Sequence, residues 1–213
     1  MPDTVKTRSY RSTVRAERAA ATRRAVLVAA RDLLGRHGYD ATTVAMVAES
    51  AGVSVDTVYS SVGRKPQLAV AVVDMVLGSS DDPLPAQERG YVRAVREAQG
   101  ARRKIELYAA AVGVVVPRTA ALLDSLRRAG ETDEACARAW SSVVERRSAN
   151  MALLAADLRA TGELRDDLAD REVADLVWSM NSPEYWLLLQ SRGWTPERYG
   201  RQLADLWCRV LLA

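Results

Sequence analysis

The chain lacks the side chains on which most catalytic and metal sites are built. Its 213 residues include one histidine, His37, and two cysteines, Cys136 and Cys208, and phenylalanine is absent. A catalytic triad or a histidine metal site would depend on that single imidazole, and the cysteines do not have the spacing of metal ligands. His37 precedes Gly38 near a predicted helix end, where such a residue commonly caps the helix. We therefore predict no catalytic residues, no metal site and no cofactor, in a protein that is not an enzyme.

Export and membrane signals are scarce as well. No run of residues approaches the roughly 20 apolar side chains that a membrane-spanning helix needs. The N-terminal segment lacks the apolar core of a signal peptide. The two cysteines of such a chain are expected to be reduced and packed in the interior. These features predict a cytoplasmic protein without a membrane partner.

The net charge of +3 is distributed unevenly along the chain. Residues 1–65 carry 11 Lys/Arg and 6 Asp/Glu, which gives a net charge of +5. Residues 66–213 carry 19 Lys/Arg and 21 Asp/Glu, which gives −2. A basic end on a slightly acidic body indicates an anionic partner at that end, with nucleic acid as the leading candidate.

Apolar residues recur at helical spacing through nearly the whole chain, which predicts an all-α fold. The first helix is expected to begin at Thr22 and to stop at Gly38, and the second to begin at Thr42 or Thr43 and to stop at Gly52. A helix beginning at Pro66 reaches about Leu77, and the segment from Gly78 to Pro85 breaks the chain. Further helices are predicted near 87–99, 101–116, 118–129, 132–160, 171–181, 183–191 and 195–212, three of which begin at the prolines Pro117, Pro183 and Pro196.

The segment AESAGVSVDTVYSSVGRK, residues 48–65, contains a short helix with an unusual outer face. Gly52 can end the preceding helix in a left-handed conformation, and Ser54 can cap the next one. Val58 and Val62 lie on the inward face, whereas the outer face carries mainly small or hydroxylated side chains. Two short helices joined by a tight glycine turn form a helix-turn-helix, whose second helix enters the major groove of DNA.

From about Thr22 to Val73 the sequence resembles the TetR family of bacterial transcriptional regulators. The similarity lies in a helix followed by GYDATT, then AGVSVDTVY, and a lysine before the next helix. Val62 and Leu34 stand where phenylalanine is common in the family. The resemblance implies an N-terminal three-helix DNA-binding domain and a larger helical domain that dimerises and often binds a small inducer.

The helix-turn-helix chemistry and the resemblance together assign roles in DNA binding. Phosphate contacts are expected from Thr42 or Thr43, Ser54, Tyr59 and Lys65, and base contacts from Val55, Asp56, Thr57 and Ser60. Asp56 has two interpretations, since its carboxylate can accept from cytosine N4 or can favour the helix dipole. We divide the chain into a basic arm (1–21) that is partly or wholly disordered, the DNA-binding domain (22–65), a linking helix (66–78) and a regulatory and dimerisation domain (79–213).

Polar side chains interrupt the apolar stripe of the predicted helix 132–160. Arg147 and Asn150 lie on or beside the inward face, where a polar group must be satisfied. One interpretation is an internal ion pair or an edge position, and the other is a pocket whose polar groups orient a ligand. For that pocket we predict Tyr108, Trp140, Arg147, Asn150, Trp178 and Asn181.

Large aromatic residues are concentrated at the C-terminal end. Four of the five tryptophans lie within the last 36 residues, and the final helix is apolar over a wide arc that includes Leu203, Leu206 and Trp207. Aromatic residues are enriched in interface cores. The sequence therefore predicts a homodimer formed through 171–191 and 195–212.

The combined prediction is a sequence-specific DNA-binding regulator. We expect a repressor that binds a pseudo-palindromic duplex operator and is released by a small, mostly hydrophobic effector. A regulator that responds to a protein partner or to no signal remains an alternative. An enzyme or a helical interaction module is disfavoured by the single histidine and by the absence of a phosphate-binding loop.

Overall fold

A computed structural model describes residues 4–213, with side chains from residue 14 onward. Within that range the chain forms ten α-helices and no strand, so the all-α prediction is confirmed. Leu164 and Leu212 form an isolated antiparallel β-bridge in that range. The helices pack into two compact units, Met1–Val72 and Val73–Ala213.

The N-terminal unit is a three-helix assembly that continues into a fourth helix. Helices α1, α2 and α3 pack against one another and bury Val26, Leu27, Val47 and Val58. The four helices are α1 (Thr4–Ala41), α2 (Val44–Ala51), α3 (Val55–Ser61) and α4 (Lys65–Gly78).

Helix α1 is longer than the sequence predicted. It begins at Thr4 instead of Thr22, so the backbone from Thr4 onward is helical where the sequence indicated an arm that is partly or wholly disordered. Alanine and arginine have high helix propensity, and the run from Ala16 to Arg24 is rich in both, so the helix extends through Thr22. The predicted stop at Gly38 appears as a break inside α1, since Gly38 has φ 75° and ψ 177°.

Helix α4 crosses the division between the two units. The division falls between Val72 and Val73, whereas the sequence placed the break in the chain at 78–85. The last turns of α4 group with the C-terminal unit because Asp74 bonds to arginines of that unit. The assignment of 22–65, 66–78 and 79–213 as functional domains stays a prediction.

The C-terminal unit is built around one long helix. A 3₁₀ turn at Ala86–Glu88 precedes six helices, namely α5 (Gly90–Glu97), α6 (Ala101–Ala129), α7 (Glu134–Arg159), α8 (Asp170–Met180), α9 (Pro183–Gln190) and α10 (Pro196–Leu211). Helix α6 packs against α5, α7, α9 and α10. By length and composition, α6 could also cross a membrane. This is weak evidence for a membrane-spanning helix, because a buried core helix has the same properties.

Pro117 lies inside α6, so the predicted start of a new helix there is wrong. Proline removes one hydrogen bond of the helix, here the bond to the carbonyl of Gly113. Buried side chains on both sides, Val112 and Val115 before the proline and Ala120 and Leu123 after it, pack in the interior and keep the helix continuous.

The wide apolar arc of α10 is used mainly inside the chain. Tyr199, Leu203, Trp207 and Leu211 are each at most 1% exposed. These side chains belong to a core shared with α6, α7 and α8. The prediction that this arc forms the dimer surface is therefore wrong for Leu203 and Trp207, because a periodic pattern does not tell an internal partner from an external one.

Candidate nucleic-acid interface and ligand cavity

Local capping bonds fix the two helices of the helix-turn-helix. Thr43 is the N-cap of α2 and accepts a hydrogen bond from the amide of Met46 at 3.2 Å. Gly52 follows α2 in the left-handed conformation, with φ 66° and ψ 34°, which a side chain would strain. Ser54 caps α3 by accepting from the amide of Thr57 at 3.1 Å. The sequence predicted Gly52 and Ser54 and left the cap of α2 between Thr42 and Thr43.

The outer face of α3 is open, as the base-reading prediction requires. Val55 is 36% exposed and Tyr59 is 47% exposed, which is unusual for large apolar side chains. Asp56 and Ser60 are also exposed, and Asp56 lies in the first turn, where the helix dipole favours a carboxylate. Thr57 is partly buried, and its hydroxyl lies 2.8 Å from the hydroxyl of Ser54.

The two predicted threonine contacts differ in accessibility. Thr42 is only 2% exposed, and its hydroxyl donates to the carbonyl of Gly38 at 2.7 Å. Thr43 is exposed at the N-terminus of α2. We correct the prediction at Thr42, because a buried hydroxyl that is already bonded cannot reach a phosphate, and retain Thr43.

Lys65 is held in place at the start of α4. Its ammonium lies 4.3 Å from the centre of the Tyr39 ring and donates to the carbonyl of Asp40 at 3.3 Å. Both partners come from the end of α1. The lysine is thereby positioned by the same unit that carries α2 and α3.

The C-terminal unit encloses a cavity of about 910 Å³ with a mostly apolar lining. Helices α6 and α7 provide much of its wall, together with the end of α4, the segment before α5, and α5 itself. Four predicted residues, Tyr108, Arg147, Asn150 and Asn181, line the cavity. A volume of this size is at the upper end of the range for small-molecule sites.

Arg147 is a donor in a hydrogen-bonded network at the cavity wall. Its Nη2 donates to the Trp178 carbonyl at 2.9 Å and to Asn181 Oδ1 at 2.6 Å. Asn181 Nδ2 donates to the Tyr108 hydroxyl at 2.8 Å, and that hydroxyl donates to the sulfur of Met151 at 3.3 Å. Burial raises the pKa of the Tyr108 hydroxyl, so it remains a neutral donor.

The charge of Arg147 has no carboxylate partner in the described part of the chain. Its Nε and Nη1 groups bond to no described residue. Burial lowers the pKa of the guanidinium, yet arginine remains cationic at neutral pH. Of the earlier interpretations, an internal ion pair does not apply, whereas an edge position stays open because Arg147 is only partly buried. Arg147 lines the cavity, and its role in orienting a ligand stays a prediction.

Two predicted ligand residues lie outside the cavity lining. Trp178 lies under the guanidinium of Arg147, with its ring centre 5.1 Å away, and supports that side chain. Its indole Nε1 is buried without a hydrogen-bond partner among the described residues. Trp140 is partly buried two turns before Arg147 on α7 and does not line the cavity. The helical spacing put Trp140 in line with Arg147 but could not show how far the cavity extends.

A second polar cluster in the cavity wall was not predicted. Asp74 Oδ1 accepts from Arg89 Nη2 at 3.1 Å, and Asp74 Oδ2 accepts from Arg146 Nη1 at 2.8 Å. Arg89 also donates through Nε to the carbonyl of Leu84 at 3.2 Å. All three charged side chains line the cavity.

Comparison with known proteins finds similarity to one family of regulators. The sequence model described as "Bacterial regulatory proteins, tetR family" matches residues 26–72, from within α1 to within α4. Over 184 residues the chain is 29% identical to the uncharacterized HTH-type transcriptional regulator YdeS of Bacillus subtilis (strain 168), and the match covers 85% of each protein. These matches support a TetR-family transcriptional regulator. Its helix-turn-helix, α2 and α3, is the DNA-binding element of this family.

Solved structures of TetR-like proteins share the fold over nearly the whole chain. A putative transcriptional regulator from Saccharomonospora viridis in complex with choline gives a TM-score of 0.68 at 14% identity, covering 91% of this chain and 99% of that one. The transcriptional regulator FadR of Bacillus subtilis in complex with stearoyl-CoA gives a TM-score of 0.65 at 14% identity, covering 86% of this chain and 96% of that one. At such low identity these likenesses establish the fold and nothing more.

The Asp74 cluster could not have been found from the TetR-like motif, which ends at about Val73. Its members are separated by 15 and 72 positions along the chain. The only feature of the sequence that could have indicated the cluster was a charged residue, Asp74, among the apolar residues of α4. The sulfur of Met151, which also lines the cavity, accepts from Tyr108 and Asn181.

Proposed function

We propose that this TetR-family regulator is a repressor released from its operator by a small anionic amphiphile. The proposal of a ligand depends on a single observation, the guanidinium of Arg147. It lines a mostly apolar cavity, and some of its N–H donors have no hydrogen-bond partner among the described residues. An apolar body would fill the cavity, and an anionic group would bond to Arg147. Choline and stearoyl-CoA are the ligands named for two structural neighbours, which supports a ligand-responsive regulator without identifying this one's ligand.

The DNA contacts follow from accessibility on α2 and α3. The exposed positions Val55 and Ser60, with the partly buried Thr57, would read base edges. Thr43, Ser54, Tyr59 and Lys65 would contact phosphates. In the proposed complex Asp56 serves mainly the helix dipole.

The protein would act as a homodimer in the cytoplasm, since a symmetric dimer matches a pseudo-palindromic operator. The proposal assigns no catalytic step to the chain. To release the operator 100-fold, an effector must favour the DNA-free state by roughly 2.7 kcal/mol.

The test is a gel shift with an operator selected from a random duplex library. The probes are octanoate, dodecanoate and hexadecanoate, each with its uncharged alcohol and each below its micellar concentration. We expect one of the carboxylates to release the operator and its alcohol to be much weaker. In Arg147→Met the carboxylate should lose roughly 10–100-fold in potency, because a hydrogen bond to a charged group contributes about 1.5–3 kcal/mol.

The control variant is Arg103→Met, which removes an exposed arginine of α6 that pairs with Glu106 and does not line the cavity. It should respond to the carboxylate as the parent does. Equal potency in Arg147→Met and the parent, or release by the alcohols alone, would contradict the anionic ligand. A selected operator that no probe releases would favour the regulator without a small-molecule effector.

A further inference from the structure

One carboxylate, that of Asp74, is shared by two arginines at the wall of the cavity. Each oxygen accepts one hydrogen bond, from Arg89 at 3.1 Å and from Arg146 at 2.8 Å. The Asp74 side chain is only 15% exposed. Charge-assisted pairs of this kind are strong when they are shielded from water.

The cluster carries more positive than negative charge. The two guanidiniums around Asp74 exceed its carboxylate by one charge, and Arg147 adds a cation without a carboxylate partner among the described residues. The remaining carboxylate in the lining, Asp157, is paired with Lys104 at 2.9 Å. A cavity with this balance attracts anions and repels cations.

The two arginines differ in how firmly they are held. Arg89 is 8% exposed and has a second bond, to the carbonyl of Leu84. Arg146 is 45% exposed, and its hydrogen-bond partner among the described residues is Asp74. Arg146 can therefore change partner at a lower cost, whereas Arg89 is fixed.

Asp74 is placed where a change of partner can be transmitted. It lies on α4, which begins at Lys65 beside the DNA-binding helices and ends at Gly78. Arg146 lies on α7, which also carries Arg147. The bond between Asp74 and Arg146 thus joins the end of α4 to the helix that would hold the effector.

We propose that Asp74 is the resident counter-ion of the effector site and that the anionic group of the effector displaces it from Arg146. Loss of this bond frees the last turns of α4 and weakens operator binding. The inference rests on the proposed function, because it names how the same cavity is regulated. Since Asp74 and the effector would compete for Arg146, Asp74 should oppose effector binding while it supports operator binding.

The experiment compares Asp74→Asn with the parent by calorimetry with the releasing carboxylate and by anisotropy with the selected operator. Without effector, Asp74→Asn should bind the operator about tenfold more weakly, within the usual range of allosteric coupling. The same variant should bind the carboxylate about tenfold more tightly, because its competitor is gone. Arg146→Gln should also weaken operator binding but should bind the carboxylate more weakly, since it removes the ligand's partner.

The matched control is Asp124→Asn. Asp124 also bonds to two arginines, Arg127 and Arg128, but within α6 and outside the cavity lining. It should change neither affinity, and circular dichroism melts should show that every variant is folded. If Asp74→Asn does not fold, the weaker binding of both operator and carboxylate expected for Arg146→Gln is compared with Arg128→Gln as its control.

Two failures can be told apart. Carboxylate binding to the parent that is unchanged in Asp74→Asn and in Arg146→Gln would overturn the displacement mechanism and leave the proposed function intact. Absence of carboxylate binding to every variant, the parent included, would overturn both. A cationic match, dodecyltrimethylammonium, that releases the operator as well as dodecanoate would also overturn the inference.

Discussion

Lys65 shows how a single side chain is prepared for a phosphate contact. The Tyr39 ring and the carbonyl of Asp40 restrict the ammonium at the start of α4. A long side chain that is already restricted loses less conformational entropy when it binds. Neither partner neutralises the charge, so the lysine remains available to DNA.

Replacing Lys65 with alanine should weaken binding to all duplexes alike. Removing one phosphate contact should reduce the slope of log affinity against log salt by about one unit. The measurement is fluorescence anisotropy with the selected operator and with a scrambled duplex between 50 and 200 mM salt, conditions over which phosphate contacts differ markedly in strength.

Arg36→Ala is the control, since Arg36 is an exposed cation of α1 that donates to the carbonyl of Asp32. It should leave the slope unchanged. A Lys65→Ala protein that loses affinity only for the selected operator would show base reading in place of a phosphate contact.

Residues whose roles depend on neighbours in the chain were predictable from the sequence. Thr43, Gly52 and Ser54 each act within three or four positions, so capping rules predicted them. Thr42 was misjudged because its burial depends on packing. Asp74 and its arginines were missed because only the tertiary fold brings them together.

At the scale of elements, α6 and α10 approach closely where two glycines meet. A Cβ atom built on Gly113 would lie 2.9 Å from the Cα atom of Gly200 and 3.1 Å from the carbonyl oxygen of Pro196. Both of these are backbone atoms, which cannot move aside as a side chain can. The close packing of the final helix therefore requires glycine at position 113.

Gly113→Ala should destabilise the C-terminal unit by about 1–3 kcal/mol, the usual cost of overpacking a core. The gain in helix propensity from glycine to alanine, about 1 kcal/mol, offsets only part of the strain. Urea unfolding followed by tryptophan fluorescence measures the change, because Trp207 of α10 is buried in the same core.

Gly90→Ala provides the comparison, since a Cβ at Gly90 meets no atom within 4 Å and its φ is not positive. That variant should be neutral or slightly more stable. Equal stability of Gly113→Ala and the parent would mean that α10 shifts without cost and that the contact does not determine its position.

Helix boundaries in this chain were predicted well where a cap marks them. The starts of α9 and α10 follow the N-caps Ser182 and Thr195, each with proline in the first turn. Pro117 has no such cap before it, only the apolar residues Val114 to Val116. Proline alone therefore did not define a boundary, and tertiary packing carried α6 through it.

At the scale of the whole molecule, the face available to a second copy is narrower than the sequence indicated. Leu203 and Trp207 are buried in their own chain, so they cannot also form an interface. On α9, within the predicted region 171–191, Leu188 is 68% exposed. A large aliphatic side chain with that exposure, beside the partly buried Tyr185 and Leu189, is suited to the centre of an interface.

Leu188→Glu should convert the proposed homodimer to a monomer and reduce operator affinity, because a two-fold interface would place two such carboxylates together. Sedimentation at micromolar concentration measures the first effect and anisotropy the second. Gln190→Glu adds the same charge to the exposed end of α9 and should leave the dimer intact.

The selected operators should contain half-sites about one helical turn apart, roughly 34–36 Å, or slightly more. A parent protein that sediments as a monomer would remove the dimer proposal, and an intact Leu188→Glu dimer would move the interface elsewhere on the C-terminal unit.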